Sequence, residues 1–367
     1  MNHIELFAGC GGLSLGLETA GFELVMANEL SPMASETFAY NILNADLVKQ
    51  SNIEKVLWIS SSHKREDIEK RFRENPVTAT GLHKEHYSDL EGKQFSDEQL
   101  DRSLLIGSIT DLNKILQNDK NGLLKQIKDG FGKGGVDLIS GGPPCQSFSM
   151  AGLRDLRNQR NTLPWEFAKF VGMIQPKIAL LENVSGILRA FDVDGKKHYA
   201  WYEVAKSFAQ VGYVPLCLHI NAKHVGAAQN RPRFIMIALR KDIYSKFEKA
   251  NPDSKLLAAL HPSKLFLNSI AKGEDPEIGA IKCFDIQKDR QLFESGVLSP
   301  LLTHHDENLV TVKAAIDDLR LAGLNQSAYV DNINNQFNNF HSLKLNRSAN
   351  HEFRANGPKV RARFRLN

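Results

Sequence analysis

Cysteine is scarce in this chain of 367 residues, and the few present do not cluster. The four cysteines, Cys10, Cys145, Cys217 and Cys283, lie far apart and form no Cys-x-x-Cys pair. Neither a disulfide framework nor a thiolate zinc site follows from that spacing, and a reducing, cytoplasmic setting is expected. Long apolar runs are missing as well. No segment approaches the ~18 consecutive apolar residues that a membrane-spanning helix needs, so no membrane partner is expected. The N-terminus has no basic region, apolar stretch or small-residue cleavage site of a secretory leader. No period of about 20–50 residues recurs, which excludes repeat architectures. A strong excess of one charge sign is also lacking. The 46 basic and 42 acidic residues leave a net +4, which permits a nucleic-acid partner without requiring one. His304-His305-Asp306 has no further ligands at metal-binding spacing, and no metal is expected.

What is present reads as an α/β chain. At 42% hydrophobic content it can bury a full α/β domain with residues left over. His3 to Phe7 is a short apolar strand that runs straight into Phe7-Ala8-Gly9-Cys10-Gly11-Gly12. Leu13, Leu15, Leu17 and Ala20 then mark a helix ending at Gly21. A strand, a glycine turn and a helix make a nucleotide-binding unit, because glycine lets a ligand approach the backbone. The next strand, Glu23 to Ala27, leads to Asn28-Glu29, with Glu29 placed 20 residues after Gly9. An acid there can accept hydrogen bonds from ribose hydroxyls. It can equally belong to an ordinary helix start, since Ser31-Pro32 opens a helix directly afterwards.

The most informative stretch is Val136 to Met150. Val136, Leu138 and Ile139 form a short buried strand of a parallel sheet. Gly141-Gly142-Pro143-Pro144 stops it, because proline cannot donate to a sheet ladder. Cys145 therefore follows a stiff turn at a strand's carboxyl end, where open α/β sheets hold ligands. By residue type alone a cysteine is more often a buried core group.

Residues 49–102 interrupt the pattern with dense mixed charge, including His63 to Asp67 and Glu69-Lys70-Arg71. They read as an insertion, partly helical from Ile53 to Phe72, whose charges are expected to form a solvated helical face, with DNA contact as the lesser alternative. The sheet resumes at Leu104 to Gly107, and Ser108-Ile109-Thr110 closes that strand. Arg154 to Asn161 is polar and glycine-poor, and is expected as an active-site loop. Trp165 to Ile174 is a helix. Lys177 to Leu181 is a strand that delivers Glu182-Asn183-Val184 to the same edge as Cys145. A helix follows over Tyr199 to Gln210. Val214 to Ile220 and Phe234 to Leu239 are strands joined by a link holding Gln229-Asn230-Arg231-Pro232-Arg233. That link is too short for a crossover helix, so the two strands should pair antiparallel. Beyond Lys241 the signal fades: Thr311 to Leu319 is helical, Asn325 to Asn350 is irregular, and Arg354 to Arg365 is a basic tail.

Gly-Gly-Pro-Pro-Cys-Gln-Ser-Phe-Ser, residues 141–149, resembles the nucleophile motif of the DNA cytosine-5 methyltransferases. The Phe-Ala-Gly-Cys-Gly-Gly-Leu-Ser-x-Gly run with its later Asn28-Glu29 is similar to the S-adenosyl-L-methionine site of the same family. Glu182-Asn183-Val184, Gln229-x-Arg231-x-Arg233 and Thr311 to Leu319 extend the likeness, whose core covers roughly residues 3 to 240.

The resemblance implies a Rossmann-like methyltransferase fold, a mixed, mostly parallel sheet with helices on both faces. It implies Cys145 as nucleophile, Glu182 as the acid at the N3 edge of cytosine, and Arg231 and Arg233 as donors to the ring oxygen and to Glu182. The acid role calls for a raised pKa, which partial burial can provide. Asn183 would fix local backbone geometry. S-adenosyl-L-methionine would be held by Phe7, Ala8, Gly9, Gly11, Gly12, Leu13, Glu29, Ser108, Ile109 and Pro143. An aspartate usually stands where this chain has Ser108, so the adenine contact there would be neutral.

The implied substrate is double-stranded DNA in a bacterial restriction-modification system. Methylation of RNA by the same chemistry and a non-catalytic DNA- or partner-binding role are the alternatives. The expected organisation is a catalytic domain over 1–240 and a partial C-terminal extension over 241–367. No target-recognition region with the family's Gly-Asn-containing closing segment is recognised there. Specificity is accordingly expected from a second polypeptide or from a remainder of this one.

Overall fold

The computed structural model describes residues 1–75, 87–90, 93–119, 121–144, 162–193, 196–252, 254–316, 328–329 and 332. Cys145, the Arg154–Asn161 stretch, the Asn325–Asn350 region apart from three residues, and the Arg354–Arg365 tail therefore lie outside the described residues.

The chain opens with β1 (Asn2–Leu6), α1 (Gly12–Thr19), β2 (Glu23–Glu29) and α2 (Pro32–Leu43). The expected helix start at Ser31-Pro32 is found. Ser31 caps α2 by accepting the Ala34 N–H at 3.4 Å, and proline stands at the first turn, where no backbone donor is needed. Next come β3 (Val56–Trp58), α3 (Ile68–Arg73), α4 (Asp97–Leu100), β4 (Ser103–Ile106), α5 (Ile109–Asn118), α6 (Leu123–Lys128) and β5 (Leu138–Gly141). The second half holds α7 (Leu163–Ile174), β6 (Ile178–Val184), the hairpin β7 (Ala190–Val193) and β8 (Lys196–Tyr199), α8 (Ala200–Gln210), β9 (Tyr213–Asn221) and β10 (Pro232–Arg240). It continues through α9 (Lys241–Ala250), α10 (Lys255–Ala271), β11 (Cys283–Asp285) and α11 (Val312–Ile316).

Among the described residues nine strands make one sheet in the order β11-β9-β10-β6-β5-β1-β2-β4-β3. Every neighbouring pair is parallel except the two made by β10, which runs antiparallel to β6 and β9. This is the mixed, mostly parallel sheet that the motifs implied. Alternate strand residues feed two cores. Val56, Trp58, Leu104 and Ile106 pack with Phe38, Ala39 and Ile42 of α2 on one face. Leu57, Leu105, Ile139 and Leu181 pack with residues of α5, α6, α7, α8 and α10 on the other.

The sheet does not stop at Arg240. Residues 241–302, expected as part of a C-terminal extension, supply β11 as an edge strand and place Tyr244, Leu260, Phe266 and Leu298 in the larger core. Short, weakly alternating segments hide such an element from pattern reading, because β11 is only three residues long. Among the described residues no helix is long and apolar enough to cross a membrane.

Three local expectations change. The helix expected from Ile53 to Phe72 forms only at Ile68–Arg73, and Val56-Leu57-Trp58 is instead an edge strand, fully buried. The β-branched Val56 and aromatic Trp58 on one face favour that outcome once β4 offers a partner. Ser108-Ile109-Thr110 does not close β4. Ser108 caps α5, accepting the Thr110 N–H at 3.2 Å. The charges of the insertion are not all solvated either. Arg71 is 1% exposed. Its Nη1 donates to both carboxylate oxygens of Asp89 at 2.9 and 3.1 Å, and its Nε donates to the His63 carbonyl at 2.9 Å. The guanidinium also lies 5.2 Å from the Trp58 ring centre, and Asp89 accepts the Trp58 N–H at 2.9 Å.

Removing one member of this pair leaves a buried charge without its counterion. Asp89→Ala should therefore destabilise the protein by about 3–5 kcal/mol in chemical denaturation. Asp67→Ala, which breaks a pair between exposed side chains, should cost about 0.5 kcal/mol or less. Equal effects would mean that the Arg71 site is not the sealed environment described here.

Candidate active site

The parallel strands end at the edge where antiparallel β10 begins, so the turns after β1, β2, β4, β5, β6 and β9 share one edge with the start of β10. That edge gathers the described residues among those singled out in the sequence; Cys145 lies outside them. On its first half lies the Phe7–Gly12 turn. Phe7, Gly9 and Gly11 all adopt positive φ, at 55°, 55° and 89°. Phe7 accepts this left-handed backbone although it carries a Cβ, a strained state that functional turns often store. Its ring lies 6.4 Å from Phe167, beside the larger core. Gly11 must lack a side chain, since a Cβ would sit 2.9 Å from Ile42. Above Gly9 and Gly12 the space is open. Leu13 is half-buried, whereas Ala8 is buried.

The spacing of Gly9 and Glu29 is a direct contact. The Gly9 N–H donates to Glu29 Oε2 at 2.7 Å, and the Ser31 N–H donates to Oε1 at 2.8 Å. The carboxylate thus closes the turn after β1 onto the turn after β2. The helix-start reading of Glu29 is seen directly, since its carboxylate accepts the N–H of Ser31 at the N-cap of α2. Asn28 adds a second tie, donating to the Leu105 and Gly107 carbonyls at 2.8 and 3.0 Å. Ser108 and Ile109 follow at once. The Ile109 side chain is only 3% exposed and belongs to the core, which leaves its backbone alone to meet a ligand. α1 starts at Gly12 without a side-chain cap, so its first-turn N–H groups are not consumed by one. Open glycines, uncapped amides and a fixed carboxylate suit a nucleoside carrying an amino-acid tail.

The second half of the edge centres on β5 and β6. Gly141 lies within β5, where a Cβ would fall 2.6 Å from the Leu6 carbonyl oxygen and 2.8 Å from Phe167. At Gly142 a Cβ would fall 3.1 Å from Glu182 Oε2. The two glycines therefore do more than end a strand: they let β1 and the Glu182 carboxylate come close. Pro143 is buried, and its carbonyl accepts from Asn183 Nδ2 at 2.9 Å. Asn183 also accepts the Val184 N–H at 2.8 Å. It fixes the proline turn that leads to Cys145, the local role expected for it.

Glu182 and Arg233 face each other across the β6–β10 pair. Arg233 is in register with Val184 and Ile235 with Glu182, so both side chains lie on the same face. Arg233 Nε lies 2.6 Å from Glu182 Oε1. The approach is oblique to the N–H bond, making this an ion pair by proximity and not an aligned hydrogen bond. Arg233 Nη1 donates to the Pro232 carbonyl at 2.9 Å, which steadies the guanidinium. The Glu182 side chain is 34% exposed, so its burial is partial. Arg231 is exposed just before β10 and is brought to the edge without joining that pair.

One buried acid was missed. Glu5, on β1, is 2% exposed and accepts a short hydrogen bond from the Ser14 hydroxyl. It ties β1 to the first turns of α1 beneath the glycine turn. A charged residue between the apolar Ile4 and Leu6 of a strand was the available signal. Burial pushes its pKa up to about 7, against the opposing pull of the Ser14 bonds, and Glu29 adds a smaller push upward. In the unfolded chain Glu5 ionises near 4.5, whereas in the fold it stays protonated until about 7. Its contribution to stability is therefore lost as pH rises across that window. Glu5→Gln should gain roughly 2–3 kcal/mol over wild type between about pH 4 and about pH 8, read by urea denaturation. A difference that does not change with pH would contradict this placement.

A family model described as C-5 cytosine-specific DNA methylase matches residues 1–64 and 108–359. The match runs well past Arg240 and skips 65–107, which carries α3 and the Arg71–Asp89 pair. The type II methyltransferase M.DdeI of Desulfomicrobium norvegicum is 28% identical over 323 residues, 86% of this chain and 61% of that protein. M.FnuDI, a type II methyltransferase of Fusobacterium nucleatum, is 30% identical over 257 residues, 70% of this chain and 52% of that protein. The chain thus spans about 50–60% of the length of these relatives. A crystal structure of S. pombe Dnmt2 methyltransferase is similar over 67% of this chain and 55% of that chain, at 15% identity and a TM-score of 0.35.

Proposed function

Because this chain belongs to the C-5 cytosine-specific DNA methylase family, we propose that it methylates carbon 5 of cytosine in DNA, using S-adenosyl-L-methionine and Cys145 as nucleophile. The observation that carries the reading is the Glu182–Arg233 pair at the edge where Asn183 holds the Pro143 carbonyl. Cys145 is two residues further along the chain.

Carbon 5 of cytosine is a weak nucleophile until a group adds at carbon 6. The Cys145 thiolate forms that bond, and the electron pair displaced from the ring's 5,6 double bond is drawn toward N3. Glu182 holds the N3 edge and places a proton there, which spreads the developing charge. Arg233 keeps the Glu182 carboxyl in position, and Arg231 is a second donor for the ring oxygen. S-adenosyl-L-methionine supplies a methyl group made electrophilic by its sulfonium sulfur. Phe7, the open glycines and Glu29 would hold that cofactor, with the uncapped start of α1 beside them. Once carbon 5 carries the methyl group, loss of its proton and departure of the Cys145 sulfur restore the aromatic ring. None of this can occur on a stacked base. Flipping the base out, as DNA methyltransferases are known to do, costs a few kcal/mol that pocket contacts offset.

The relatives are type II methyltransferases, and a place in a bacterial restriction-modification system is part of the proposal. On the same reading, base-edge readout falls to a further element, carried by this chain or by a second polypeptide.

Two experiments bear directly on these roles. DNA with 5-fluorocytosine should become covalently attached to the protein in the presence of S-adenosyl-L-methionine, because fluorine cannot leave as a cation. Cys145→Ala should lose the adduct and keep cofactor binding; an adduct that survives in this variant removes Cys145 from the role. Glu182→Gln keeps a hydrogen-bonding group but has no proton of the right acidity for N3. It should slow single-turnover methyl transfer by roughly 10²–10⁴-fold with little change in cofactor affinity. A loss within about threefold would be too small for an acid at N3.

A further inference from the structure

His304, His305 and Asp306 stand out in the sequence and have no part in the chemistry above. His305 Nδ1 lies 2.7 Å from Arg290 Nη2 and Asp306 lies 2.8 Å from Lys223, while the backbone around His304 meets the link between β9 and β10. That link, Ala222 to Arg231, is the segment that presents Arg231.

The base of the link is braced from within. Asn221 Oδ1 accepts the N–H of Arg231 at 2.9 Å and of Lys223 at 3.3 Å, and Asn221 Nδ2 donates to Asn230 Oδ1 at 2.8 Å. The Ala222 N–H donates to the Arg231 carbonyl at 3.1 Å. The far turn, His224 to Gly226, is held differently. The N–H groups of Thr303 and His304 both donate to the His224 carbonyl at 2.9 Å, and the Thr303 hydroxyl approaches the same oxygen at 3.3 Å. In return the His224 ring, 3% exposed, meets the His304 carbonyl through Nδ1 at 3.0 Å, which requires the proton on that nitrogen. Gly226 has φ +87°, and a Cβ there would lie 3.0 Å from His304 Cε1, so the His304 ring closes over the turn. The Tyr329 hydroxyl donates to the Gly226 carbonyl at 3.1 Å.

We propose that Thr303–Asp306 is a strap that orders the Ala222–Arg231 link before substrate arrives, making His224, Thr303 and Asp306 positioning residues for methyl transfer. The proposal rests on the reading of Arg231 as a group that contacts the target base. Surface links are ordinarily the mobile parts of a fold. An arginine that must meet a ring oxygen gains nothing from a mobile base, since small misplacements of catalytic groups cost large factors in rate. The strap lies on the β9 side of the sheet, whereas the cofactor-holding residues sit on β1, β2 and β4 at the other side of β5. It should therefore act on the transfer rate and leave cofactor affinity alone.

The full chain is assayed as wild type, His224→Ala, His224→Asn and Asp306→Ala. Single-turnover methyl transfer to cytosine-containing DNA, S-adenosyl-L-methionine affinity and backbone amide exchange are all measured. His224→Ala removes the donor to His304 and should slow transfer by roughly five- to tenfold, the worth of one buried hydrogen bond. Exchange over residues 222–231 should quicken by a similar factor, with exchange in β1, β2 and β4 and cofactor affinity unchanged. His224→Asn, whose amide nitrogen takes the place of Nδ1, should restore most of the rate. Asp306 is 65% exposed, so Asp306→Ala should fold normally and show the same pattern at roughly two- to threefold. The strap is refuted if exchange over 222–231 is unchanged in both alanine variants, or if it quickens while those variants transfer methyl groups as fast as an active wild type. A wild type that transfers no methyl group to any cytosine-containing DNA would overturn the proposed function and the catalytic part of this proposal together. The exchange data would then still decide whether the strap orders the link.

Discussion

The antiparallel placement of β10 beside β6 is the constraint on which the candidate site depends. The parallel strands bring their carboxyl ends to one edge, and a strand running the same way would enter that edge from the wrong end. β10 begins there, so its first residues and the last residues of β6 are neighbours. The register then matters to one residue. With Arg233 opposite Val184, the guanidinium lies on the face of Glu182; a shift by one would send it through the sheet. Phe234, Met236 and Ala238, all fully buried, hold that register by committing the alternate face to the core. An apolar pattern of no chemical interest thus sets the distance between two charged side chains at the candidate site.

The other half of the edge is held by polar contacts between turns. Glu29 fastens the turn after β1 to the start of α2, Asn28 fastens β2 to the end of β4, and Asn183 fastens β6 to the proline turn. Each is a side chain satisfying backbone groups that strand ends leave unpaired. The strain at Phe7 and the close approaches at Gly11, Gly141 and Gly142 are tolerable because these ties over-determine the backbone. Rigid turns on a rigid sheet are what a reaction between three separately delivered groups requires.

Segments away from the edge serve it indirectly. β3 and the sealed Arg71–Asp89 pair extend and steady the sheet beyond β4. At the opposite side, β11 and α10 cover β9, and the chain after them returns to grip the β9–β10 link at His224. The arginine that the link presents is thereby connected to residues about 80 positions away in the sequence.

Much of this was legible beforehand because it is local. The strand–glycine–helix start, the Pro143-Pro144 stop, the Ser31-Pro32 cap and the antiparallel β9–β10 pair follow from backbone rules acting over a few residues. The motifs around Cys145, Glu182 and Arg233 identify a chemistry for the same reason: few families place those types together. The misreadings lie where context outweighs propensity. Val56-Leu57-Trp58 carries no mark that distinguishes a buried helix turn from an edge strand until β4 supplies its hydrogen bonds. Arg71 looks like any surface arginine until Asp89, outside its own helix, closes over it. Glu5 and Ile109 likewise have their surroundings chosen by other elements. By itself the sequence determined the fold class, the elements that carry its motifs and the candidate chemistry, because these are encoded within single segments. Only the tertiary structure decided which face Arg233 occupies, which acids are buried and what holds the Arg231 link, because each depends on residues that meet only when distant segments pack.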